Sequence, residues 1–85
     1  MSPSDAVREF VQTRFRNALR GRSVDLHDPL ISSGVIDSFG ILEVIAFLED
    51  TFHVTIDPSQ HELSEFETVQ SMLELVGSMG ATLSG

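Results

Sequence analysis

The chain contains no cysteine, tyrosine, tryptophan or lysine, and only three histidines and three prolines. Without cysteine, disulfides, thiolate zinc sites, iron–sulfur clusters and a cysteine nucleophile are all excluded, and cysteine usage leaves the redox compartment undetermined. His27, His53 and His61 are too few and too scattered for a spacing-defined metal site, so none is expected. No continuous apolar run is long enough to span a membrane. A composition 41% hydrophobic and 21% charged is also too apolar for a disordered acidic tail. The N-terminal Met1-Ser2-Pro3-Ser4-Asp5 lacks the basic and then apolar order of a secretory signal, which points to a cytoplasmic protein. With 85 residues the chain has room for a single core.

Charge is unevenly placed. All five basic residues, Arg8, Arg14, Arg16, Arg20 and Arg22, fall in the first quarter, where only Asp5 and Glu9 oppose them, a net of +3. Residues 23–85 carry the other eleven carboxylates and no Lys or Arg, which returns the overall −8. Such a surface would be repelled by a phosphate backbone, and no aromatic platform interleaves the arginines, so nucleic acid is not an expected partner. A basic protein surface suits it better; simple solubility is the plainer reading of the same charge.

Val7, Phe10, Val11, Phe15 and Leu19 follow Ser4 in steps of three and four, which predicts one helix from about Pro3 to Leu19 with Arg8, Gln12 and Arg16 outside. Gly21 ends it. The stretch Arg22 to Asp37 carries turn signals at Asp28-Pro29 and Ser32-Ser33-Gly34 but enough apolar residues to pack as an ordered loop. Helical spacing returns from Ser38 to Phe52, with Ile41, Ile45, Leu48 and Phe52 as the core stripe and Asp37 or Ser38 as cap. Phe39, Leu42, Val44 and Phe47 fall off that stripe, so part of this helix should meet something else. Val54-Thr55-Ile56 reads as extended loop, Ser59 to Phe66 as a short helical turn, and Thr68 as the cap of a last helix carrying Val69, Met72, Leu73 and Val76. A small-residue tail follows from Gly77.

Few residues are arranged for chemistry. Ser38 has Ile36 two residues before it and Gly40 two after, half of a hydrolase nucleophile elbow, and no preceding strand. The pairs Glu49-Asp50 and Glu65-Glu67 lack a calcium-loop pattern and read as solvated faces. What remains is a serine at the start of a helix, delivered by a long loop. The unpaired N–H groups and positive dipole end there favour a phosphodiester on its hydroxyl, although Asp-Ser before an apolar helix is also simply a cap, and Asp37 adds a like charge.

The run Leu30-Ile31-Ser32-Ser33-Gly34-Val35-Ile36-Asp37-Ser38-Phe39, continued by Leu48-Glu49-Asp50-Thr51-Phe52, Ile56-Asp57-Pro58 and Phe66-Glu67-Thr68-Val69, resembles the acyl and peptidyl carrier proteins. The resemblance covers the chain to about Val76 and implies an all-α four-helix bundle with a long first loop and a short third helix. It implies that Ser38, next to its motif neighbour Asp37, receives 4'-phosphopantetheine from coenzyme A through a phosphopantetheinyl transferase. The arm's thiol would then hold an acyl or aminoacyl thioester, loaded by an adenylating ligase or an acyltransferase and passed to synthase enzymes with basic docking patches. The domain itself would catalyse nothing, and a chain without cysteine must import that thiol.

Phe39, Leu42, Glu43, Ala46, Glu49 and Asp50 match the positions by which the family engages partners, an apolar centre with an acidic rim suited to fast, short-lived encounters. Ile45, Leu48, Phe52, Ile56, Phe66 and Val69 take its core positions, where they either pack ordinarily or line a cleft for a short acyl chain. Two departures stand out: Phe39, where the family most often has Leu, and Gly40, which weakens a first helical turn by up to about 1 kcal/mol. Residues 1–76 are expected to form the carrier domain of a free-standing monomer, and 77–85 a flexible tail. Fatty, polyketide and aminoacyl carriers share these motifs. The rival reading is a carrier-like acidic helical module that binds a protein partner permanently, with Ser38 only a cap.

Overall fold

Helix α1 (Pro3–Arg14) starts where the apolar series predicts. Ser2 is its cap: the Ser2 Oγ accepts from the Asp5 N–H at 3.1 Å, and Pro3 takes the first helical position, where no N–H is needed. These elements belong to a computed structural model that describes residues 2–80. The expected continuous helix to Leu19 is interrupted at Phe15 (φ −112°, ψ 24°) and resumes as the single turn α2 (Arg16–Leu19). The interruption lets the Phe15 ring meet Phe10 edge-on at 6.2 Å while also reaching the start of the next helix. Arg20 (φ 55°) and Gly21 (φ 80°) then turn the chain out through left-handed backbone.

Residues 20–37 form the long loop, and α3 (Ser38–Phe52) follows it. Gly40, Ile41, Val44, Ile45 and Leu48 of α3 are buried, so the buried arc is wider than a single stripe. Val44, expected off the core, belongs to it, while Phe52 is only half-buried and Phe47 stacks on Phe10 at 4.2 Å. His53 ends α3 with φ 56°. Residues 54–57 run extended, and the short third helix is realised as two 3-10 turns, Pro58–Gln60 and Leu63–Phe66.

Acidic side chains shape those turns. Asp57 accepts from the Ser59 hydroxyl at 2.7 Å and the Ser59 N–H at 3.0 Å, which holds its carboxyl below the usual range. Glu65 accepts from the Glu62 N–H at 2.7 Å, with the same effect, and His61 adds to it. Both groups favour the folded turn when ionised, so that contribution is present above the ordinary carboxylate range and fades as acid protonates them.

Helix α4 (Val69–Ser78) is closed by a reciprocal pair: the Ser71 N–H donates to Thr68 Oγ1 at 2.9 Å, and the Thr68 N–H to Ser71 Oγ at 3.0 Å. It buries Val69, Met72, Leu75 and Val76; Leu75 takes the fully buried place expected of Leu73, which is half-buried. Of the expected tail 77–85, Gly77 and Ser78 are helical and 81–85 lie outside the described residues. The described residues thus hold the expected all-α bundle with a long first loop, and no strand.

One contact fastens α1 to the loop. Val24 is fully buried, and both of its backbone groups are met by side chains of α1: Arg8 Nε donates to its carbonyl at 2.7 Å, and Gln12 Oε1 accepts from its N–H at 2.8 Å. Arg8 and Gln12, read from the sequence as outward-facing, lie one turn apart and together clasp a single residue.

Two substitutions should move stability in opposite directions. Gln12→Ala leaves the buried Val24 N–H unpaired and is expected to lower the free energy of unfolding by about 1–3 kcal/mol. His53→Gly removes a side chain from left-handed backbone and is expected to raise it by about 1 kcal/mol. Chemical denaturation of the two variants beside wild type checks both signs.

Candidate functional site at the start of α3

The loop reaches α3 along a fixed path. Its N–H groups at Leu30 and Ser32 donate to the Glu67 carbonyl at 2.8 Å and to the Glu67 carboxylate at 3.0 Å, and its Leu26 carbonyl accepts from the Gln70 N–H of α4 at 3.0 Å. The Ile36 N–H closes back on the Leu30 carbonyl at 2.9 Å, over a turn in which Gly34 takes φ +85°. Leu30, Val35 and Ile36 are buried, so the residue before Asp37 is anchored in the core.

Asp37 is the cap. Its Oδ1 accepts from the Gly40 N–H at 2.7 Å and its carbonyl from the Ile41 N–H at 3.0 Å. Ser38 occupies the first helical position, exposed, and among the described residues no hydrogen bond engages its hydroxyl. The N–H groups of Ser38 and Phe39 are likewise unengaged there. Two donors and the positive end of a helix dipole therefore surround an accessible hydroxyl, which favours an anionic phosphodiester on it, while the Asp37 charge partly opposes.

Gly40 is required by a close approach and not by its backbone angles. A Cβ there would stand 2.8 Å from Phe15 Cε1 and 3.2 Å from the capping Asp37 Oδ1. The residue that reads in sequence as a weak spot in the helix is the point where the α1–α2 junction presses onto the cap.

The six residues expected to face partners divide. Phe39 is 71% exposed and Leu42 56%, with Ala46 and Asp50 also exposed on α3. Glu43 is ion-paired with Arg14 of α1. Glu49 is occupied by the fold: its Oε2 accepts from the Ile56 N–H at 2.8 Å, which ties the segment after α3 back to the helix. Arg14 was missed in sequence because nothing local links it to α3. Ile45, Leu48, Ile56, Phe66 and Val69 are buried together in the core, with Phe52 packed at its edge. Among the described residues no group of three or more His, Asp or Glu side chains is placed to hold a metal, and no helix is long and apolar enough to cross a membrane.

Residues 5–76 match the family model described as phosphopantetheine attachment site. No curated protein matches the chain.

The crowding at Gly40 is testable. Gly40→Ala gains up to about 1 kcal/mol of helix propensity but forces the Phe15 ring or the cap to move, an overpacking effect of about 1–3 kcal/mol, so net destabilisation is expected. In a Phe15→Leu background the same substitution should become neutral or stabilising. A double-mutant cycle by thermal unfolding measures the difference.

Proposed function

The chain belongs to the phosphopantetheine attachment-site family, and on that premise we propose that it holds acyl or aminoacyl groups as thioesters on an arm joined to Ser38 and shuttles them between biosynthetic enzymes. Family membership makes it a carrier of the 4'-phosphopantetheine prosthetic group. The observation that supports Ser38 as the attachment residue is its exposed, unengaged hydroxyl beside a cap that Asp37 completes without it. The arm supplies a terminal thiol, the acyl-accepting atom that a chain without cysteine does not contain.

The protein's own residues present and release. The anchored Ile36 and the Asp37 cap hold the serine at a fixed point, so a modifying enzyme meets a preorganised hydroxyl. Phe39, Leu42 and Ala46 offer the apolar contact, and Asp50, with the other carboxylates of residues 23–85, supplies the field that draws basic enzyme surfaces. A patch this small supports brief docking, as hand-over between enzymes requires. A phosphopantetheinyl transferase, and a ligase or acyltransferase that loads the thiol, are the partners this role calls for.

The intact mass of the protein after incubation with coenzyme A, magnesium and a promiscuous phosphopantetheinyl transferase is the deciding measurement. Wild type is expected to gain one phosphopantetheinyl group and Ser38→Ala none. No gain with several transferases would leave Ser38 as a helix-starting residue and the exposed α3 face as a permanent protein interface. In the same assay Leu42→Ala should raise the transferase KM by about ten-fold, the effect of losing one apolar anchor, with thermal stability nearly unchanged.

A further inference from the structure

Beside Ser38 the surface is recessed where the α1–α2 junction faces the start of α3. The groove measures about 330 Å³ and is lined by Arg14, Asn17 and Ala18 on one wall, Val35 at the loop, and Phe39 and Glu43 on α3. This is at the small end of the ~300–1,000 Å³ typical of small-molecule sites. Asp37 and Phe39, the residues on either side of Ser38, both border it, so a group joined to the Ser38 hydroxyl starts at its mouth.

We propose that this groove seats the pantetheine portion of the arm carried by Ser38, an inference that rests on the carrier reading above. Three observations select that occupant. Arg14 and Glu43, the oppositely charged residues in the wall, neutralise each other as an ion pair, so the groove holds no uncommitted cation from that pair to select a strongly charged ligand. The remaining surface combines Phe39, Val35 and Ala18 with the amide of Asn17 and, at the mouth, the Asp37 carboxylate, whose Oδ1 is taken by the Gly40 N–H; this suits a neutral chain alternating apolar carbons with amides. Finally, the tether settles the competition. A short flexible linker raises the local concentration of its end to the millimolar range, so even a millimolar intrinsic affinity fills the groove about half the time. A seat that weak orders the arm between encounters and yields it to an enzyme.

The test uses 13C-labelled protein bearing an unlabelled arm, with modification verified by mass. Isotope-filtered NOEs are expected from the arm's geminal methyl protons to the Ala18 and Val35 methyl groups. Ala18→Trp, a filling substitution at an exposed position of the wall, should abolish the Val35 cross-peaks. Asn17→Asp, which adds charge without changing shape, should weaken them should the tryptophan variant fail to fold. Modified protein whose arm protons contact only residues 37–39, or Val35 cross-peaks that persist unchanged in both variants, would overturn the groove while leaving the carrier reading intact. Failure of the wild type to gain the group at all would overturn that reading first.

Discussion

The structure depends on how the long loop of residues 20–37 satisfies its backbone hydrogen bonds. A loop without helix or strand of its own has no internal ladder, and a buried unpaired peptide group costs about as much as several good contacts return. Here, beside turns closed within the loop such as Ile36 onto Leu30, partners come from outside it: Arg8 and Gln12 at Val24, the start of α4 at Leu26, and Glu67 at Leu30 and Ser32. Those ties let Val24, Leu30, Val35 and Ile36 enter the core, and the loop thereby becomes a wall of the bundle. The position of Ser38 follows from them, since the α3 cap begins immediately after the last buried loop residue.

What could be read from the residues alone was whatever is decided within a turn or two of chain. Thr68 announces α4 because a capping side chain acts three residues away, and the spacing of Ile41, Ile45 and Leu48 places the α3 core because helical neighbours recur every three or four. The serine and its flanking motif were legible for the same local reason. The remainder was decided between distant segments. Apolar periodicity runs straight through Phe15, so nothing marked the break, which goes with the meeting of that ring and Gly40. Gln12 and Arg8 look like solvated positions until a loop arrives against them, and Glu49 looks like a docking charge until the Ile56 amide is found in its reach. Polar residues were misjudged because polarity says that a partner is needed and not which one.

The arginines show the same effect in the electrostatics. Arg8 and Arg22 are bound to backbone carbonyls at Val24 and Leu19, and Arg14 is paired with Glu43. The basic quarter of the sequence is thus largely turned to internal use, and the outward field is left to the carboxylates of residues 23–85. An exposed ion pair such as Arg14–Glu43 adds little stability in water. Its effect is on shape and charge beside Ser38, where it fixes one wall of a recess.

The cap of α3 engages one of two adjacent polar residues and leaves the other out. Asp37 closes the helix end with its own carboxylate, and among the described residues the hydroxyl next to it takes part in no hydrogen bond. An ester formed at Ser38 would therefore remove no bond on which the native state relies. With the arm joined there, folding and chemical equipping would be independent in time: the domain could be completed, stored or stripped of its adduct and refitted without passing through an unfolded stage.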